Sequence, residues 1–320
     1  MLVGTGFGAT HLAWLAACPE VSVDVLGYGR DEARARDLAR RFGVPRVTAD
    51  PLAVIEEGNL DAVAVVSPPD THEAVLSAAL SAGLLAVTDK PLAHDTAAAA
   101  RLAELAGDRG FVTFQWRQNP AFARLRELSA DGRLGRIVRI ELDFHHDFLA
   151  GPGTAWPWRH RGHSGGALSD QGVHLLDLLR WIVPGSWKVT AAVSSVVWPR
   201  RTGPDGTVDC EAEDLAEVLL ADECGTALAR VGVSRVSAGR RAIRALVQGT
   251  EGLAELAANP DDGSAVLRMG ATELAFGPHA MNPYPAMLHD GKAAVGDVAD
   301  FADGYAAQLL FEQASRLSRR

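Results

Sequence analysis

Met1-Leu2-Val3-Gly4-Thr5-Gly6-Phe7-Gly8-Ala9-Thr10-His11-Leu12 opens the sequence, and this stretch decides the fold. A short apolar run, a glycine turn and an apolar stretch that follows at helical spacing make a strand-turn-helix. The turn has the G-x-G-x-x-A form of a dinucleotide fingerprint. Each position has a mechanical reason. Gly4 permits the tight turn, Gly6 lets a pyrophosphate approach the backbone, and Ala9 lets helix and strand pack closely, while amides at the helix N-terminus meet the anion. Gly4, Thr5, Gly6, Phe7, Gly8 and Ala9 are therefore the candidate cofactor loop. The strand before them, Met1 to Val3, is short beside the usual five or six residues of a parallel core strand. A late start codon would produce that length.

Context raises the value of the motif. Up to about residue 118, strand-like runs (Val21 to Leu26, Arg46 to Thr48, Ala62 to Val66, Leu84 to Thr88, Phe111 to Phe114) alternate with alanine-rich helical stretches such as Asp31 to Phe42 and Asp95 to Ala106. That spacing predicts a doubly wound parallel sheet. After a linking helix, Pro120 to Ala130, the pattern changes to long alternating strands: Ile137 to Phe144, Val189 to Val197, Ala212 to Leu220, Ala227 to Val233, Ala242 to Gln248 and Ala265 to Arg268. These predict an α+β domain on a large open, mostly antiparallel sheet. A helix from about Gly166 to Val183 interrupts them, Arg200 to Asp209 reads as a loop, and a last helix covers Val298 to Leu317. The expected boundary falls between domains 1–118 and 119–320, with the last helix packing back toward the first.

With 320 residues and 48% hydrophobic content there is material for two cores. A net charge of −9 and a pI near 5.6 argue against a nucleic-acid partner or an anionic membrane surface and favour a small molecule. Cys18, Cys210 and Cys224 have neither a disulfide framework nor zinc-site spacing, which suits a reducing cytoplasm. Leu15-Ala16-Ala17-Cys18 imitates a lipoprotein cleavage box, but no Lys or Arg precedes Arg30, and three glycines and His11 interrupt the apolar run. No stretch reaches the ~18 uninterrupted apolar residues of a spanning helix.

The second strand ends in Leu26-Gly27-Tyr28-Gly29-Arg30-Asp31. An acid at the strand tip would take a free ribose 2′-hydroxyl, and a cation there a 2′-phosphate. The tip itself has no acid, and Gly29-Arg30 leaves space and a guanidinium, so NADP is expected ahead of NAD. Asp31 has two readings, a ribose ligand or a helix cap. Asp89-Lys90-Pro91 follows the fifth strand at the carboxyl edge, where such sheets place their ligands. A lysine there is ordinarily solvated surface, yet this one would face a nicotinamide. In Ser67 to His72, after the fourth strand, Asp70 or Thr71 can cap the next helix and His72 can simply pack.

Gly165-Gly166-Ala167-Leu168-Ser169-Asp170-Gln171-Gly172-Val173-His174-Leu175-Leu176-Asp177 is the densest cluster of chemical side chains. On a helix, Asp170, His174 and Asp177 share one face. That face is either a polar stripe meeting water or a reactive surface, and Gly172, costly inside a helix, weighs toward the second. Hydride transfer at a carbinol carbon needs a group that exchanges the hydroxyl proton. Imidazole titrates near neutrality, so His174 is the candidate acid/base, with Lys90 polarising the oxygen and Asp170 orienting substrate or imidazole. No metal is required, because Lys90 can supply the electrostatic work.

The chain resembles the Gfo/Idh/MocA oxidoreductases over essentially its whole length. The resemblance rests on Gly4 to Ala9, on Asp89-Lys90-Pro91 where that family usually has Glu-Lys-Pro, and on Gly165 to Asp177. Weaker echoes are Arg117-Gln118-Asn119-Pro120, Gly132-Arg133-Leu134-Gly135 and Phe301-Ala302-Asp303-Gly304. It implies a Rossmann domain with an open-faced sheet domain, assembled into homodimers or homotetramers through that sheet. It implies catalysis by Lys90, Asp170 and His174, and cofactor contacts from the glycine loop, Arg30, Ser67, Pro68, His72, Asp89, Lys90 and Arg117. Substrate identity is expected in the loop Phe148 to His163, foremost in Trp158 and Arg159. A sugar, a cyclic polyol or a sugar derivative is the expected substrate. Two other readings keep the fold: an NAD-retaining glycosidase, and a non-catalytic NADP-binding sensor, against which the intact proton-exchanging set argues.

Overall fold

Strand-helix alternation in the first third of the chain builds a parallel sheet, as a computed structural model describing residues 1–153, 165–203, 206–288 and 298–318 lays out. Its elements are β1 (Leu2–Val3), α1 (Gly8–Ala16), β2 (Val25–Gly27), α2 (Glu32–Phe42), β3 (Arg46–Thr48), α3 (Pro51–Glu56), β4 (Ala62–Val65), α4 (His72–Ser81), β5 (Leu85–Thr88), α5 (Thr96–Ala106) and β6 (Gly110–Val112). Side chains set the helix ends. Asp31, Asp50 and Asp95 accept the backbone N–H of Arg34, Ala53 and Ala98, and Gly43 closes α2 in the left-handed region at φ 70°. In the sheet, β1 to β6 take the order β6-β5-β4-β1-β2-β3, all parallel. The direction of winding therefore reverses between β1 and β4, where doubly wound sheets bind ligands. Leu2, Leu12, Leu26, Leu38, Ala64 and Val87 supply much of the core.

The middle of the chain forms a different layer. After α6 (Pro120–Ala130) come β7 (Ile137–His145), a π-turn at Leu168–Gly172 running into α7 (Val173–Ile182), β8 (Trp187–Ser195), β9 (Arg200–Gly203), β10 (Gly206–Asp209), β11 (Leu215–Asp222), β12 (Leu228–Ser234), β13 (Ala242–Gly249), β14 (Leu253–Ala258), β15 (Ala265–Met269) and β16 (Thr272–Phe276). Among the described residues the main sheet has eight strands, β16-β15-β14-β13-β7-β12-β11-β8, antiparallel throughout except where β12 runs parallel to β7. Alternation of buried and open positions along β11, β13 and β14 gives this sheet one packed face. Phe122, Leu125, Leu175 and Leu179 from α6 and α7 meet Ile140, Leu142, Val218 and Val247 there. Arg200 to Asp209, expected as a loop, is the β9–β10 hairpin. Its Arg201 is wholly buried and donates to Asp214 at 2.9 Å.

The chain then returns with α8 (Tyr284–Leu288), β17 (Ala299–Asp300) and α9 (Phe301–Ser318). Contacts divide it into one unit of Met1–Gln115 with Asn282–Gln308 and another of Trp116–Met281 with Leu309–Arg320. The first unit is thus discontinuous, unlike the expected division at 118/119. In it β17 adds an antiparallel edge beside β6, and Phe301 presses on Gly110, where a Cβ would stand 2.7 Å from its ring. No described helix is long and apolar enough to cross a membrane.

Candidate active site

Gly4 lies at the reversal of the first sheet with φ +122°, and a Cβ there would stand 2.6 Å from the backbone of Val66 and Ser67. Only glycine lets the turns after β1 and β4 meet so closely. Gly6 is the opposite case, with nothing within 4 Å of the direction a Cβ would take, so its backbone is open to a ligand. Gly8 begins α1 beside Leu2, and Phe7, the N-cap, is 45% exposed and makes no side-chain cap. Ala9 is half-buried, and Gly8 is the fully buried small residue of the pair. An open turn, a helix N-terminus without a side-chain cap and a packed glycine fit the pyrophosphate of a dinucleotide.

At the tip of β2, Arg30 is exposed, and Asp31 resolves as a cap, its Oδ1 accepting Arg34 N–H at 2.8 Å. Sequence reasoning missed Arg34. Its Nε donates to Thr5 O at 2.9 Å and its Nη2 to Gly6 O at 3.3 Å, so it lies against the glycine turn.

Lys90 is half-buried on a loop whose backbone is held on both sides. Asp89 Oδ1 accepts the Lys90 N–H at 2.8 Å and the Thr113 hydroxyl at 3.1 Å. Beyond the cis Lys90–Pro91 bond, Gln308 of α9 donates from Nε2 to Ala93 O at 3.0 Å and accepts Ala93 N–H at 3.2 Å. His72, expected as a cofactor contact, is 1% exposed. Its Nε2 lies 2.8 Å from Ser67 O, and its Nδ1 lies 3.2 Å from Leu92 O and 3.1 Å from Thr88 Oγ1. Burial pushes its pKa down, against the pull of those carbonyls. A neutral ring donates from only one nitrogen, so with Nε2–H given to Ser67 O its Nδ1 accepts the Thr88 hydroxyl, and the ring ties the Ser67 turn to the end of β5. Ser67 and Pro68 stay at least partly open, with Ser67 Oγ 2.5 Å from Thr71 Oγ1.

In the other unit, Gly165 to Asp177 is not one regular helix. The π-turn is anchored by Glu213, whose carbonyl accepts Ala167 N–H at 2.9 Å and whose carboxylate accepts Leu168 N–H at 3.0 Å. Gly166 lies so close to that carboxylate that a Cβ has no room. Asp170 is half-buried within the π-turn, and His174 is 4% exposed on the first turn of α7. Gly172 has a packing reason: its Cβ would stand 3.2 Å from Leu168 and 3.8 Å from Val233. Asp177 turns inward, where both its oxygens are held by Arg117, one of them by Nε at 2.8 Å. Arg117, expected to touch the cofactor, is 5% exposed and has its guanidinium engaged there and over the Trp181 ring. Behind the π-turn, Arg201 and Arg235 are wholly buried around Asp214, and Arg235 Nη1 donates to Gly165 O. Burial lowers the Arg235 pKa, while Asp214 and Asp170 act against it. Trp158 and Arg159, like Trp156, His160, Arg161 and His163, lie outside the described residues.

Comparison with known proteins agrees with the fold. A model described as an oxidoreductase family with an NAD-binding Rossmann fold matches residues 1–115, and a GFO/IDH/MocA C-terminal domain model matches residues 122–255. Levoglucosan dehydrogenase of Pseudarthrobacter phenanthrenivorans is 28% identical over 281 residues, 78% of this chain and 71% of its own. Inositol 2-dehydrogenase 2 of Saccharopolyspora erythraea is 31% identical over 207 residues, 63% of this chain and 57% of its own. A solved levoglucosan dehydrogenase in complex with NADH and L-sorbose has a TM-score of 0.86 at 23% identity, covering 99% of this chain and 95% of that one, a likeness of fold.

Proposed function

Because the chain belongs to the GFO/IDH/MocA family of NAD-binding oxidoreductases, we propose that it transfers a hydride between NADP and a carbinol or carbonyl carbon of a sugar, cyclic polyol or sugar derivative. The observation that carries this reading is the glycine turn at the strand reversal, closed at Gly4 by the Val66-Ser67 backbone and open at Gly6. Gly4, Thr5, Gly6, Phe7, Gly8 and Ala9 would hold the pyrophosphate through backbone amides, with Ser67, Pro68 and Asp89 beside them. Bound there, the nicotinamide supplies the hydride donor or acceptor. NADP is favoured over NAD because Asp31 is engaged as a cap and Arg30 is exposed at the strand tip. The names of the two relatives, a levoglucosan and an inositol dehydrogenase, support the substrate class.

The chain's own groups then divide the proton work. His174 exchanges the substrate hydroxyl proton on a ring nitrogen, the Lys90 ammonium polarises the same oxygen, and Asp170 orients the substrate or the imidazole. Trp158 and Arg159 grip the ring and its hydroxyls. Val193, Leu219 and Leu228, 65%, 49% and 62% exposed on strands of the eight-stranded sheet, favour a homodimer or homotetramer formed through its open face. The cysteines, all free, suit a reducing cytoplasm.

A panel of polyols, aldoses and ketosugars offered with NAD⁺ and NADP⁺ tests the reading. Net formation of reduced nicotinamide is the expected result. Sugar release without net change in nicotinamide would replace it with the glycosidase, and dinucleotide binding without any turnover with a sensor.

A further inference from the structure

We propose that Arg34 is the second cation of a 2′-phosphate site, acting with Arg30 to select an adenine dinucleotide phosphorylated on the 2′-oxygen. The proposal rests on the NADP reading above and adds a residue that the strand-tip pattern does not reveal. Arg34 belongs to the first turn of α2, but its guanidinium is drawn to the carbonyls of Thr5 and Gly6, at 2.9 and 3.3 Å. A positive group thus stands between the glycine turn and the tip of β2. On a doubly wound sheet that interval receives the adenosine ribose. A guanidinium carries five N–H donors, and the two carbonyls leave several of them for another acceptor.

The charges around it point the same way. On the outer face of α2, Arg36 pairs with Glu32 at 2.5 Å and Arg40 with Asp37 at 3.1 Å. Arg30 and Arg34 have no carboxylate partner among the described residues. The acids nearest in sequence are already engaged. Asp31 caps the helix through the Arg34 N–H, and Glu32 is held by Arg36 and Tyr28. Two cations without a carboxylate partner among the described residues, in a chain of net charge −9, therefore stand between the end of β2 and the first turn of α2, and the neighbouring acids Asp31 and Glu32 already have partners. A phosphate monoester, with a second pKa of about 6 and three acceptor oxygens, matches two guanidinium groups better than a hydroxyl does.

Arg34 could instead serve only to hold the glycine turn, and binding separates the two roles. NADP⁺, NAD⁺ and adenosine 2′,5′-bisphosphate are titrated calorimetrically into the wild-type chain and into the Arg34→Ala, Arg34→Lys and Arg30→Ala variants. Wild type is expected to prefer NADP⁺. Arg34→Ala is expected to weaken NADP⁺ and the bisphosphate by about tenfold or more while NAD⁺ changes by less than about threefold. Arg34→Lys should recover part of the loss, and the wild-type preference should shrink as pH falls below about 6, where the phosphate gains a proton. Equal losses for NADP⁺ and NAD⁺, or no loss, would overturn the role given to Arg34 while a wild-type preference for NADP⁺ stands. Wild type binding NAD⁺ as tightly as NADP⁺ would overturn both Arg34 and the cofactor preference and leave the dehydrogenase reading intact. No dinucleotide binding at all would remove that reading and, with it, the proposal.

Discussion

His11 and His72 are each 1% exposed, and burial lowers the pKa of both. The folded chain keeps them neutral in a range where the unfolded chain, with its histidines near 6.5, takes up protons. Their contribution to stability is therefore intact above about pH 6.5 and falls below it, by about 1.4 kcal/mol per pH unit for each ring. Asp143 acts lower. Burial pushes its carboxyl up, but His145 and Arg230 outweigh that and hold it at about 2, so its stabilisation is lost only as pH falls from about 4. Chemical unfolding between pH 7 and 5 should show the histidine slope, and His72→Asn should remove about half of it. A slope unchanged in the variant would mean that the folded His72 ring accepts a proton. At this scale the sequence marked Gly4, Lys90 and His174, whose types and places in a motif carry meaning. Asp31 stayed open between two roles because only a hydrogen bond distinguishes them. Arg34 and Gln308 were invisible, since a polar residue on a helix gives no sign of which distant backbone it will meet.

The loop after β5 is held by Thr113, just past β6, and from α9 by Gln308, and Lys90 stands between these ties. Gly304 lets α9 come close, since a Cβ there would stand 3.3 Å from Leu92. A lysine proposed to polarise one oxygen has to be held in position to do so. Gln308→Leu should lower kcat by about tenfold while dinucleotide affinity stays within about twofold, and freeing the Ala93 amide should cost about 1–3 kcal/mol of stability. Steady-state kinetics beside dinucleotide titration checks this, and a parallel loss of affinity would show general loosening of the first unit. Elements were legible where caps or alternation stood out, as in α2, α6 and β13. Leu253-Ala254-Glu255-Leu256-Ala257-Ala258 was passed over because its alanines and leucines favour a helix, yet pairing with β13 and β15 makes it a strand. The π-turn at Leu168–Gly172 escaped for a related reason: its widening answers to Glu213, 45 residues from Leu168.

For the whole molecule, the two kinds of sheet could be read from periodicity, because a parallel core and a one-faced sheet impose different patterns on their strands. The return of the chain could not. Asn282 donates to Trp14 O at 2.8 Å and Tyr284 lies 2.8 Å from His11, contacts that close more than 260 residues of chain and leave no local signature. That return is why the first unit takes in Asn282–Gln308 and not a continuous stretch. The account of function stands on two separate pieces, a glycine turn that receives a dinucleotide and an imidazole that moves a substrate proton. The measurement that tests their division of labour is turnover and dinucleotide affinity in His174→Ala, on whichever polyol or sugar the wild type oxidises. Turnover should fall by about 10²–10⁴-fold with dinucleotide affinity unchanged; full turnover in the variant would contradict the account.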